Sequence, residues 1–356
     1  MMKIAVDCRM FGMSGVGVFL KNFLDYALPH YSGIRFLLIG TSRLDLYSSL
    51  DNVTVRTVDI RPFTLKECFA FPVGEINGCD IYFSPNYNIP SGIKIPVCCT
   101  IHDLLFWDVK EVSSLVGRCI RILAVKRAYR LSDLIFTVSG FSLSRIRKHL
   151  GNKEVVVTYN ALRPIAPCAE TSLPGRKYIV YVGNVKPHKG LMDLLAAYTA
   201  FGLQADYDLV IVGNYRNFKT ACPEILRYGQ QERISFTGKV SDEQLAGLIG
   251  NAAMLVQPSV YEGFGIPPIE ALFLGVPVVL SDIPVFKEVY SGFPVTFFEC
   301  KNPESLAEAI RRTEPYAEAV KKSVQNKILS LYSPERVSET IIQAIIRKYD
   351  ESSANR

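Results

Sequence analysis

The chain has 356 residues, 49% of them hydrophobic and 21% charged, a globular composition too long for one ordinary core and therefore suited to two domains. No stretch approaches the roughly 20 apolar residues of a membrane-spanning helix, and Met1-Met2-Lys3-Ile4-Ala5-Val6-Asp7 meets a carboxylate too early for an export signal, so a cytoplasmic protein is expected. The net charge of +6 lies entirely in the first half, where residues 1–170 hold 20 Lys and Arg against 14 Asp and Glu, and no nucleic-acid-binding motif accompanies it.

In chain order, the strand Lys3–Asp7 leads into Phe11-Gly12-Met13-Ser14-Gly15-Val16-Gly17-Val18, which turns and opens a helix as a phosphate-cradling loop does. A plain tight turn reads equally well. Strands at Ile34–Gly40, Val53–Val58, Asp80–Ser84, Pro96–His102, Leu134–Ser139 and Val155–Tyr159 follow, nearly continuous apolar runs of the kind covered on both faces. His102 and Asp103 close the fourth of these, Pro96–His102, at a carboxyl end where ligands bind in parallel sheets; a purely structural histidine is the competing reading. Between Arg118 and Lys153, nine basic residues face one acid, Asp133. That segment is either a solvated helix face or a patch drawn to anionic lipid or substrate phosphate.

Pro164, Pro167, Cys168, Thr171, Ser172, Pro174 and Gly175 then break the pattern as a linker, setting one domain at 1–165 and a second at 172–332. The second begins with the strand Lys177–Gly183 and continues with Asp208–Gly213, Arg233–Gly238, Met254–Pro258, Val276–Ser281 and Val295–Phe298, alternating with helices such as Leu191–Phe201, Asp242–Gly250 and Pro303–Arg312. Strands alternating with helices predict two doubly wound α/β domains facing a cleft. A last amphipathic helix, 334–350, carries Val337, Ile341, Ile342 and Ile345 on one side.

The segment Glu262-Gly263-Phe264-Gly265-Ile266-Pro267-Pro268-Ile269-Glu270 is the most informative. A strand ends, a glycine loop turns, and two prolines mark a helix start, where their missing donors are no loss. The amides of Gly263 to Ile266 are then placed to meet anionic oxygen at the positive end of the helix dipole. Glu262 stands in the loop, and Glu270 lies about one turn into the helix, where it can accept from sugar hydroxyls. No metal site is expected: the four histidines are scattered, the nine cysteines show no CxxC pair, and Asp206-Tyr207-Asp208 precedes its strand, away from the ligand-binding end.

With these residues in place, the chain resembles family 4 of retaining glycosyltransferases, which have the two-domain GT-B fold of two Rossmann-like domains. The likeness rests on the Glu262-to-Glu270 segment and on Tyr181-Val182-Gly183-Asn184-Val185-Lys186-Pro187-His188-Lys189-Gly190. It implies that Glu270 holds the donor ribose, that Glu262 with Gly263, Phe264, Gly265 and Ile266 holds the sugar and diphosphate, and that Lys189 neutralises the leaving diphosphate. Asn184 stands where many relatives have arginine, which leaves open whether Asn184 or Lys186 assists. The resemblance further implies that Val240 frames the base, that Gly15 and Gly17 neighbour the donor sugar, that His102 and Asp103 lie near the reacting centre, and that the last helix crosses back onto the first domain.

It implies metal-independent transfer from a nucleotide-sugar, with GDP-mannose ahead of UDP-glucose, and no cofactor. The acceptor would be a glycan of surface-polysaccharide assembly, including undecaprenyl-diphosphate-linked ones, met at the inner face of the plasma membrane. A nucleotide-sugar epimerase of the same fold and a non-catalytic nucleotide-sugar binder are the alternatives.

Overall fold

The computed structural model describes residues 1–62, 64, 66–110, 114–164, 176–213, 228 and 231–354; most of the expected linker, 165–175, lies outside them. The chain forms two compact units, the first made of Met1–Trp107, Ser113–Ala161 and Tyr332–Arg356, the second chiefly of Leu162–Leu331.

In the first unit, strands β1 (Lys3–Asp7), β2 (Arg35–Gly40), β3 (Val53–Thr57), β4 (Ile81–Ser84), β5 (Val97–Thr100), β6 (Leu134–Thr137) and β7 (Val155–Val157) form one sheet ordered β3-β2-β1-β4-β5-β6-β7. Every pairing is parallel. Side chains alternate across such a strand. Ile4 and Val6 therefore enter one core with Leu20 and Phe23 of the helix Ser14–His30, while Ala5 faces a second core with Ile101 and Val125. Burial on both faces explains why these strands read as unbroken apolar runs.

Several strands stop short of the apolar run. β6 ends at Thr137 because the Ser139 side chain instead accepts from the Ser142 amide at 3.0 Å, capping the helix Gly140–His149. β7 ends before Tyr159, whose φ of 60° leaves the extended region.

The helix Pro334–Ala354 belongs to the first unit although it closes the chain. Val337, Ile341, Ile342 and Ile345 pack into the core of β1 and the helix Ser14–His30. Ser338 Oγ donates to the carbonyl of Asn22 at 3.3 Å, and the Tyr26 hydroxyl donates to Glu339 Oε2 at 3.2 Å.

The second unit repeats the scheme with β8 (Tyr178–Val182), β9 (Asp208–Val212), β10 (Ile234–Gly238), β11 (Met254–Gln257), β12 (Val278–Ser281) and β13 (Thr296–Phe298), ordered β10-β9-β8-β11-β12-β13 and parallel throughout. Both units are thus Rossmann-like, and their α/β architecture is that of the GT-B fold. Strand order reverses between β1 and β4 and between β8 and β11, and crevices beyond the carboxyl ends at such reversals are where doubly wound sheets bind ligands. Among the described residues no helix is long and apolar enough to cross a membrane.

Candidate active site

At the second reversal, the loop after β8 carries Lys189 and the loop after β11 carries Glu262. Their approach is set by backbone. Gly190, at φ +67°, lies so close to the carbonyl of Pro258 that an added Cβ would sit 1.8 Å from its oxygen, which only glycine permits. The Val260 amide also donates to the His188 carbonyl at 2.8 Å. Lys189 Nζ consequently donates to both oxygens of Glu262, at 2.6 and 2.8 Å, with the two side chains 24% and 11% exposed.

Behind Glu262 runs a relay that spacing did not suggest. Gln257 Nε2 donates to Ser259 Oγ at 3.0 Å, and that hydroxyl donates to Glu262 Oε1 at 2.8 Å. Around it, Gln257 Oε1, His188 Nδ1 and the Tyr181 hydroxyl are buried with no hydrogen-bond partner among the described residues. Each such atom costs about 1–3 kcal/mol, a penalty found in native proteins chiefly where function needs it. Burial, and then the neighbouring Lys189 ammonium, push the His188 imidazole down to about 4, so it stays neutral beside the cation.

The helix of the Glu262-to-Glu270 segment spans Ile266–Phe273, with Gly265 as its N-cap at φ +92°. A Cβ there would meet Phe286 at 2.7 Å, and the Tyr290 hydroxyl donates to the Gly265 carbonyl. Pro267 and Pro268 remove two of the four donors a helix start normally offers, leaving the amides of Gly265 and Ile266, beside the partly exposed Gly263 and the buried Phe264, nearest the loop. The Glu270 side chain makes no hydrogen bond among the described residues. Burial first, and Asp242 second, raise its carboxyl to about 7, because an ion without compensating donors is disfavoured in that setting.

Val240 sits half-buried just before Ser241, whose side chain accepts from the Gln244 amide in a capping box of the helix Asp242–Gly250. Asn184 is exposed. Asp208 opens β9 at its amino end, 3.7 Å from Arg176 Nε, on the side of the sheet opposite this site, and no cluster of three metal-ligating side chains occurs among the described residues.

In the first unit, Gly15 and Gly17 fall inside the opening turns of the helix Ser14–His30. The Gly17 amide is engaged by the Met13 carbonyl at 2.9 Å, and a Cβ on Gly17 would meet the Met10 carbonyl oxygen at 2.5 Å, so this glycine lets helix and loop pack closely. His102 Nε2 donates to the Pro85 carbonyl at 2.8 Å, and the ring meets Phe19 edge-on at 5.2 Å. This bond keeps the proton on Nε2 and leaves Nδ1 as an acceptor. Burial lowers the His102 pKa against the opposing pull of the Pro85 bond. Asp103 Oδ1 accepts from the Leu105 amide at 3.0 Å and so anchors its own turn.

Beside β1 lies a charged group that spacing gave no reason to assemble. Arg9 Nε and NH2 donate to the two oxygens of Asp7 at 2.9 and 2.6 Å, and Arg9 NH1 lies 3.1 Å from Glu67 Oε2. Asn88 Nδ2 donates to Glu67, the Tyr82 hydroxyl donates to Asp7 Oδ2 at 3.2 Å, and the guanidinium stacks 4.3 Å from the Phe71 ring. All three charged residues are buried. Burial alone would lower the Arg9 pKa, but the Asp7 carboxylate holds it above the ordinary arginine value.

Residues 169–329, which lie in the second unit, match the family described as glycosyl transferases group 1. The chain is 31% identical over 225 residues to O-antigen chain mannosyltransferase B of Escherichia coli, the match taking in 59% of this chain and 58% of the relative. It is 26% identical over 226 residues to O-antigen chain mannosyltransferase RfbU of Salmonella typhimurium, 63% and 62% of the two lengths. These matches span under two thirds of either relative. Across nearly the whole length, the fold matches HepE of Anabaena, crystallised with UDP-glucose, at a TM-score of 0.71 and 18% identity, covering 98% of this chain and 100% of that one.

Proposed function

We propose that the protein is a retaining glycosyltransferase that moves a hexose, in first place mannose from GDP-mannose, onto a lipid-linked acceptor glycan in surface-polysaccharide synthesis, without a metal or other cofactor. The observation that carries this reading is the Lys189–Glu262 pair fixed across the β8/β11 reversal beside the helix start at Gly265. Such a constellation suits a nucleoside diphosphate: Lys189 and the amides of Gly265 and Ile266 meet phosphate oxygens, and Glu270 accepts from ribose hydroxyls. The incoming diphosphate competes with Glu262 for Lys189, which frees the carboxylate to turn toward sugar hydroxyls. Departure of the diphosphate breaks the anomeric C–O bond while Lys189 offsets the developing charge. The acceptor hydroxyl attacks from the same face and passes its proton to a diphosphate oxygen, so configuration is retained. The mannosyltransferase relatives support the choice of sugar, and the UDP-glucose complex of HepE keeps uridine donors in the test.

Thermal unfolding with GDP, UDP and dTDP selects the nucleotide, since a ligand that binds only the folded state raises its melting point. Incubation of the matching nucleotide-sugar with a polyprenyl-diphosphate glycan, with and without a chelator, should then give a retained linkage in both cases. Product that vanishes with chelator, or a sugar isomer formed without acceptor, would sink the proposal.

The raised Glu270 carboxyl makes a second, separable demand. Ribose hydroxyls donate more strongly to its ionised form than to the neutral acid, so binding of the intact nucleotide-sugar should strengthen as pH rises from 6 toward 8, by at most about tenfold per unit below about 7. In the unliganded protein the same raised pKa works in the opposite direction: the group contributes no penalty below the ordinary carboxyl range and destabilises the fold as pH passes through about 7. Titration calorimetry checks the first statement, using the nucleotide-sugar because a free terminal phosphate itself titrates near about 6. Glu270→Gln should flatten the profile, and a slope unchanged in that variant refutes the assignment.

A further inference from the structure

Of the eleven large apolar side chains that stand exposed among the described residues, five lie on one helix, Leu115–Leu131. Leu115, Val116, Ile120 and Leu123 are 61% to 78% exposed and recur at intervals that bring them to one side of a helix. The opposite side is already used, since Val125 and Ala128 are buried in the core behind β5 and β6. Ordinary surface helices turn their apolar stripe inward; this one also presents apolar side chains outward. Exposed Lys126 and Arg130 stand on the same outward side, and no acid occurs anywhere in 115–131; Arg121, on the other side of the helix, stacks its guanidinium 4.3 Å from the Phe106 ring. Arg118 anchors the helix beneath, donating to the carbonyls of Phe106 and Trp107.

We infer that this face seats the protein on an anionic bilayer, with Leu115, Val116, Ile120 and Leu123 entering the headgroup boundary and Lys126 and Arg130 meeting lipid phosphates. An apolar stripe rimmed by cations alone is the pattern of helices that lie in that boundary, and a protein partner would have to bring a uniformly acidic rim. A cavity of about 800 Å³ borders the same face and shares Ile120 with it, its far wall formed by Tyr87, Asn88 and Glu67. A lipid-anchored molecule held in the bilayer would meet this opening directly. The inference rests on the lipid-linked acceptor proposed above for its purpose, but not for its test.

The purified full chain is sedimented with vesicles of phosphatidylcholine alone and of phosphatidylcholine with about one third phosphatidylglycerol. Binding is expected to the anionic vesicles only. It should fall about tenfold or more in L115S/I120S/L123S, which keeps every cation, and severalfold in K126Q/R130Q. Both variants should melt at the parent temperature and keep nucleoside diphosphate stabilisation in vesicle-free buffer, a readout that belongs to the donor site alone. Anionic-vesicle binding undiminished in the apolar variant overturns the inference. So does light scattering that shows a dimer abolished by the same substitutions, since the face would then belong to a second copy.

Discussion

Lys189→Met is expected to lower sugar transfer by about two to three orders of magnitude, the range seen when one preorganised donor to a developing negative charge is removed. The effect should exceed that of an ordinary lost ion pair. The ammonium is held at 2.6 and 2.8 Å from the Glu262 oxygens, so it already stands at the mouth of the loop where the diphosphate is proposed to bind. Without it, Glu262 retains only the Ser259 hydroxyl at 2.8 Å and presents an uncompensated negative charge to an anionic ligand. Nucleoside diphosphate stabilisation should therefore weaken along with kcat/KM. Lys189→Arg, which keeps the cation in a different shape, should recover part of the loss. Steady-state rates near those of the parent in Lys189→Met would remove the leaving-group role.

The second large effect is on folding. Arg9→Met should destabilise the first unit by about 3–5 kcal/mol, because deleting one member of a buried ion group leaves the others without compensation. Here two buried carboxylates, Asp7 and Glu67, depend on one guanidinium, and replacing Arg9 leaves both. The triple variant D7N/R9M/E67Q should regain much of the loss, since removing all partners together avoids an orphaned charge. Urea unfolding reports it as a shifted midpoint; if the single variant unfolds with the parent, the network contributes nothing to stability.

How much of this was legible in the sequence differs between the two units. The α/β class, the two sheets and the Glu262 loop follow from apolar runs and glycine-proline punctuation, which are local signals, whereas Lys189 was singled out only through the family resemblance. The end of β6 did not follow, because the choice between extending a strand and capping a helix at Ser139 depends on a single side-chain hydrogen bond. The Asp7–Arg9–Glu67 group was missed for another reason: Arg9 and Glu67 are 58 positions apart, and only the pairing of β1 with β4 and the path of the loops bring them together. A signal was present in Asp7 and Arg9, charged residues at and just beyond the end of β1, directly after the apolar Ile4-Ala5-Val6. The outward apolar face of Leu115–Leu131 was hidden because its residues alternate with arginines, so charge stood out and exposure could not be read.

The contact of Gly190 with the Pro258 carbonyl means that the spacing of cation and acid is a property of the main chain. Any side chain at 190 would wedge the two loops apart, and a protein so altered would keep every charged group of the pocket while losing their register. Changes in donor preference would then have to arise elsewhere in the lining, with this clasp carried through unaltered.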